Sequence, residues 1–135
     1  MADDDRSFDT FMKRRAELAQ DYVRGKGEPL DLVTTRESPA TFFPPQGGRV
    51  EGAAEVASTY LEGAKAFAPG SESRLEVLHM ACSDTLAYWV GLQHATVHFQ
   101  GRAEPVPMIL RITEIFRLEA EGWRLVHRHA DSQGK

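Results

Sequence analysis

The sequence predicts an α+β fold, with two long helices and one short helix wrapped across a cone-shaped, curved antiparallel sheet. Three observations lead there. Apolar residues recur at helical spacing in the first half of the chain, strand-like alternation fills everything after Gly70, and turn-forming pairs cut that second half into four segments. Helices grouped early and strands grouped late place the helices on one face of a sheet. A sheet covered in that way leaves a cone-like cavity between the layers.

The first helix is carried by Phe8, Phe11, Met12, Leu18, Ala19 and Tyr22, one apolar face interrupted by Arg15 alone. Asp3, Asp4 and Asp5 favour its amino terminus, and Gly25 and Gly27 end it. Pro29 starts a short helix through Leu32 and Val33, and Ser38-Pro39 breaks the chain before a short strand, Ala40 to Phe43. After the loop Pro44, Pro45, Gly47, Gly48, a second long stripe runs from Ala53 through Val56, Tyr60 and Ala64 to Ala68, stopped by Pro69-Gly70. Four strands follow: Ser73 to Cys82, Thr85 to Phe99, Pro107 to Leu118 and Trp123 to Ala130. Ser83-Asp84, Gln100-Gly101 and Glu121-Gly122 separate them, which gives an antiparallel meander. Pro105 and Pro107 cannot donate to a ladder, so the third of these strands begins at a bulge or a free edge.

Of 135 residues, 41% are hydrophobic and 27% charged, and 16 basic against 20 acidic residues give a net charge of −4. One domain spanning residues 1–135 is expected, with roughly two-thirds of the unfolded surface buried. The acidic balance and the lack of any Lys/Arg run argue against nucleic acid. No apolar stretch reaches the ~20 residues of a membrane span, Cys82 has no disulfide partner, and the amino terminus lacks a secretory pattern. A cytoplasmic protein follows. No glycine-rich phosphate loop is present, so no organic cofactor is expected.

The chemistry sits in the last hairpin. With Leu118 opposite Trp123, counting pairs Phe116 with Leu125, Glu114 with His127, Ile112 with His129 and Leu110 with Asp131 on the core face. Glu114, His127, His129 and Asp131 therefore intrude on an apolar row and are the acid/base candidates. A buried carboxylate needs a partner. His127 fills that role in this register, a slip of two residues substitutes His129, and a bulge would turn Glu114 outward. A proton-transfer pair lining the cavity and a self-satisfied core network both fit the pattern. His127-x-His129-x-Asp131 also has strand-ligand spacing, but no third ligand is fixed among Glu114, His94 and His98, and no metal is expected. Leu86, Tyr88, Val90 and Leu92 share a face with His94, Thr96 and His98. Tyr22, Tyr60, Tyr88, His98 and Trp123 are the candidate ligand contacts, a core position being the commoner setting for each tyrosine. Arg111, Arg117, Arg124 and Arg128 lie on the other face around Ile109, Ile115 and Val126, which suits a subunit interface or a solvated surface.

The segments Arg111 to Arg117 and Gly122 to Asp131 resemble the terminal hairpin of SnoaL-like proteins, within the nuclear transport factor two-like, or ketosteroid isomerase-like, superfamily. The resemblance extends to Phe42-Phe43-Pro44, to Gly47 through Gly52 and to Leu86 through Gly91, most of the chain. It implies a cystatin-like α+β cone, commonly a homodimer through the sheet, with a pocket between sheet and helices. The superfamily holds isomerases, cyclases, dehydratases and hydrolases, and also non-catalytic domains such as the calcium/calmodulin-dependent kinase association domain. In ketosteroid isomerases a general-base Asp precedes a proline in a segment similar to Ala40 to Pro45, where this chain has Phe43, so that mechanism is not expected. The expected function is a pocket for a mostly apolar small molecule with a polar end. Proton transfer next to a carbonyl, with Glu114 or His127 as base and Tyr88 or His129 as donor, is one outcome, and a non-catalytic sensing or dimerisation domain is the other.

Overall fold

The computed structural model describes residues 7–133. The acidic run Asp3 to Asp5 lies outside them. Helix α1 spans Phe8–Val23, capped by the Ser7 hydroxyl, which accepts from Thr10 N, and Gly25 closes its end at φ +93°. Helix α2 is Glu28–Leu32, with Pro29 in its first turn. Strand β1, Thr41–Phe43, and the two-residue β2, Val50–Glu51, precede helix α3, Ala53–Ala64. The long strands are β3 Glu72–Cys82, β4 Leu86–Val97, β5 Val106–Glu119 and β6 Gly122–Ser132.

All six strands form one sheet, in the order β2-β1-β6-β5-β4-β3. The four long strands make the expected meander, but β1 lies parallel to β6, with Thr41 beside His127 and Phe43 beside His129. Strand β2 left no signature in the sequence because two residues cannot show alternation. The second long helix ends at Ala64 rather than Ala68. There the chain leaves the helical ladder through tight turns, and Phe67 bridges to Phe99. Pro107 lies beyond Leu110↔Ser132, the last β5–β6 pair, where one side of β5 is unpaired and a proline costs little.

The core closes one end of the cone with aromatic rings. Phe8 sits 5.5 Å from Phe116 and 5.4 Å from Trp123, and Phe11 meets Phe116 edge-on at 5.0 Å. These side chains come from α1, β5 and β6, so the helix is pinned to the sheet at this end. At the other end the layers diverge.

Two bulges bend the sheet. In β3 the register shifts between Val77 and His79, leaving Leu78 unpaired, and in β6 Val126 is the extra residue between the pairs Phe116↔Leu125 and Ile115↔His127. Gly91 of β4 faces the first bulge. A Cβ there would fall onto the carbonyl oxygen of Glu76, so the close approach of β3 needs a residue without a side chain. Gly91→Ala is expected to force β3 away and cost about 3 kcal/mol, measured as a lower urea midpoint; an unchanged midpoint would show that the bulge tolerates a methyl group.

Candidate functional site

The bulge at Val126 decides which side chains enter the cone. Leu118↔Trp123, Arg117↔Arg124 and Phe116↔Leu125 follow the count from the turn, but beyond Val126 each residue of β6 faces the side opposite to the one expected. Glu114 pairs with Arg128, not His127, and Ile112 pairs with Ala130, not His129. Arg128, expected outside with the other arginines, turns inward.

Glu114 is fully buried. Arg15, the one interruption of the apolar face of α1, reaches it with two parallel hydrogen bonds: Nε donates to Oε1 at 3.0 Å and Nη2 to Oε2 at 2.8 Å. Arg128 Nη1 donates to Oε2, and the indole of Trp89, on β4, donates to Oε1 at 2.7 Å. Burial pushes the Glu114 carboxyl up, but Arg15 and Arg128, with the Arg15 and Trp89 hydrogen bonds, outweigh it and hold the group down at about 2. It is held as an anion. Arg128 Nη2 also donates to Gln93 Oε1 at 3.1 Å, and Gln93 donates to Ser73 Oγ at 2.9 Å, which extends the network across β4 to β3.

Above this cluster lies a cavity of about 760 Å³ between α1, α3 and the inner face of the sheet. Its walls are mostly apolar, including Val23, Phe42, Phe67, Met108 and Leu110, and its polar lining includes Arg15, Arg128, Gln93, Tyr22 and Tyr60. Gly63 of α3 leaves room for the Tyr22 ring, whose hydroxyl donates to the Tyr60 carbonyl at 2.8 Å. The Tyr60 ring lies 4.8 Å from Phe42. Burial raises the pKa of both tyrosines, with Arg128 acting in the opposite direction on each. Two buried polar atoms have no hydrogen-bond partner among the described residues, Arg15 Nη1 and Tyr60 Oη, and both residues line this cavity.

Of the expected ligand contacts, Tyr22 and Tyr60 line the cavity and the other three lie elsewhere. Tyr88 is on the outer face with its hydroxyl 3.1 Å from His79 Nδ1, because the inner face of β4 is Ala87, Trp89, Gly91, Gln93, Ala95 and Val97. Both faces of β4 are apolar, and the row of smaller residues is the one that packs. His98 sits beyond the end of β4 against Gly70, its backbone N donating to Ser71 Oγ. Trp123 belongs to the aromatic end of the core.

Glu114 is inside but masked by cations, whereas His127, His129 and Asp131 are on the outer face. The shared core face expected for these four groups is thus corrected, and so is the Glu114–His127 pair. His127 Nδ1 lies 2.7 Å from Thr41 Oγ1, and the Phe43 ring is edge-on to both histidines, at 5.0 and 5.4 Å. Burial and then His129 lower the His127 pKa, against the opposing effect of Glu114. Asp131 accepts from Arg111 Nε at 2.7 Å, which lowers its pKa, and lies 3.4 Å from His129 Nε2. Among the described residues no three His, Cys, Asp or Glu side chains stand together as a metal site, and no helix is long and apolar enough to cross a membrane. Arg128 and Gln93 carried no signal in an unbroken strand count. Arg15 did, as the lone charge on an apolar helical face.

A curved, unclosed sheet with helices over its inner face and a cavity floored by charge defines the class: an α+β cone with a pocket. The sequence model of the SnoaL-like domain matches residues 18–131, and the chain belongs to that family. Solved structures share the fold. A nuclear transport factor 2-like superfamily protein from Salmonella enterica superposes with TM-score 0.73 at 15% identity, covering 90% of this chain and 86% of that one. A ketosteroid isomerase-like protein from Erwinia carotovora gives 0.67 at 16%, covering 90% and 92%. A Streptomyces avermitilis protein of the same superfamily, provisionally described as a dehydratase, gives 0.69 at 17%, covering 92% and 93%. No curated protein matches the sequence.

The depressed Glu114 carboxyl makes stability depend on acid. The folded state binds fewer protons than the unfolded one between about 4.5 and about 2, so this contribution is complete above 4.5 and is lost as pH falls toward 2. It amounts to roughly 3 kcal/mol. Glu114→Gln, which leaves the buried Arg15 and the partly buried Arg128 without their anion, is expected to cost about 3–5 kcal/mol at neutral pH and to flatten the acid limb of a denaturation–pH curve. A variant that keeps the wild-type limb would assign it to other carboxylates.

Proposed function

We propose that this protein binds a mostly apolar small molecule inside the cone, oriented by a polar end at the Arg15–Tyr60 side of the cavity. The observation that carries the reading is the cavity itself: about 760 Å³ of largely apolar volume, lined at its polar side by Arg15 and Tyr60, each of which carries a buried polar atom without a partner among the described residues. That volume suits a ligand of metabolite or drug size. The geometry favours binding over the proton transfer expected from the hairpin. Among the described residues no Asp, Glu or His lines the cavity, Glu114 is held ionised by two arginines, and His127 is on the other side of the sheet. A general base has to lie within reach of the proton it removes. The isomerase-like and dehydratase-like names among the structural neighbours speak for the versatility of the cone and not for an activity of this chain.

A thermal-shift screen across aromatic, steroid, polyketide-like and acyl compounds tests the reading. At a concentration near 100 times Kd a ligand adds about 2.7 kcal/mol, a rise of roughly 5–10 °C for a chain of this size. Leu110→Trp, at the cavity wall, should abolish the shift while preserving the melting temperature of the free protein. No shift with any class would overturn the reading.

The outer face supports a second component, pairing with another copy through the sheet. Leu86, Ile109 and Phe43 expose apolar side chains there, Leu86 beside Arg117, Ile109 two residues along β5 from Arg111, and Phe43 beside His129. Sedimentation equilibrium should give twice the chain mass, and Leu86→Glu with Ile109→Lys should return it to the chain mass. A wild-type monomer at micromolar concentration removes this component.

A further inference from the structure

We propose that the polar end of the ligand is a single negative charge, the carboxylate of an organic monoacid, received between Arg15 and Tyr60 with Arg128 alongside. This rests on the pocket reading and narrows it to one chemical class. The first observation is a charge count. Among the described residues, Arg15 and Arg128 are the charged side chains of the cavity lining, and the anion they both hold, Glu114, offsets one of the two. One positive charge remains at the inner end of a largely apolar space, where an uncompensated charge is costly.

The second observation is the pair of unsatisfied donors. Arg15 is 3% exposed and Tyr60 2%, yet Arg15 Nη1 and Tyr60 Oη have no partner among the described residues. A guanidinium can only donate, and a neutral phenol beside cations is best used as a donor too. A group that accepts hydrogen bonds on two oxygens and carries one negative charge satisfies both donors and the charge together. A ketone or ester oxygen would leave the charge unmatched, and a phosphate dianion would exceed the single charge on offer. The remaining wall, Val23, Phe42, Phe67, Met108 and Leu110, requires a hydrocarbon or aromatic body.

Isothermal titration of the full chain with dodecanoate and 1-naphthylacetate, each beside its methyl ester and its alcohol, tests this. The carboxylates should bind at least about tenfold more tightly than their neutral counterparts, the scale of a charge-assisted hydrogen bond. Tyr60→Phe, checked for an unchanged melting temperature, should weaken the carboxylate by roughly five- to tenfold and leave the ester unchanged. Glu114 stays charged and Tyr22 and Tyr60 stay neutral from about pH 6 to 9, so affinity should be flat there and fall only as the ligand carboxyl protonates. The alkyl and aryl arms report which body fits. Esters that bind as well as acids would overturn the inference and leave the pocket reading standing. Equal weakening of acid and ester by Tyr60→Phe would also overturn it. If no member of the series binds, both readings fall.

Discussion

Four hydrogen bonds converge on the carboxylate of Glu114, two from Arg15, one from Arg128 and one from the Trp89 indole, and the arrangement of the whole inner face depends on them. The four residues come from α1, β6, β4 and β5. A carboxylate at the centre of a packed interior is tolerable when its lone pairs are taken up by charged donors, and a guanidinium is tolerable there when its charge is met. Each group supplies what the other lacks. The cluster therefore fixes the position of α1 on the sheet as firmly as the Phe8, Phe116 and Trp123 contacts at the narrow end of the cone, and with directional bonds that aromatic packing does not have.

The same cluster gives the cavity its chemistry. Apolar packing closes the aromatic end, but toward Tyr22 and Tyr60 the helices stand off from the sheet and the space between them is floored by two cations sharing one anion. Gly63 contributes by what it lacks: a methyl group at that position would press on the Tyr22 hydroxyl, which instead bonds the Tyr60 carbonyl and steadies one wall. A buried Glu facing a pocket is a common design for acid/base work when its pKa is raised by an apolar site. Here the sign is reversed. Two arginines keep the group ionised at any physiological pH, and it in turn holds both cations at the cavity floor.

The histidine row has a different setting. His127 and His129, with Thr41, Phe43 and Asp131, form a polar and aromatic ridge on the outer side of the sheet, where Arg111 and Asp131 are paired and apolar side chains from β4 and β5 stand beside them. The Gly-Trp and His-x-His pattern that gives the hairpin its family resemblance thus serves the two sides of the sheet separately: Trp123 packs in the core and the histidines face away from it. Membership of the SnoaL-like family thus defines a scaffold and does not by itself decide function.

The sequence by itself determined the α+β class, both long helices, the four-stranded meander and the family. Each rests on local rules: a 3.6-residue stripe such as Phe8, Phe11, Met12, two-residue alternation, and turn residues at fixed places. It also marked Glu114 and Arg15 as charges on apolar faces. It did not pair them, since they are 99 residues apart in the chain and nothing local links one helix to one strand. The tertiary structure decided the rest through one unpaired residue. Val126 reverses the parity of β6, so counting from the turn holds as far as Leu125 and is inverted from His127 onward, exchanging two histidines for Arg128 and Ala130. The face of β4 was decided in the same way: Tyr88 and Trp89 lie in alternate rows, and the row containing Gly91 turned inward, where the β3 bulge comes too close for a side chain. Periodicity specifies that two faces exist. Which of them is buried depends on bulges and on partners distant in sequence, and those are set only when the layers pack.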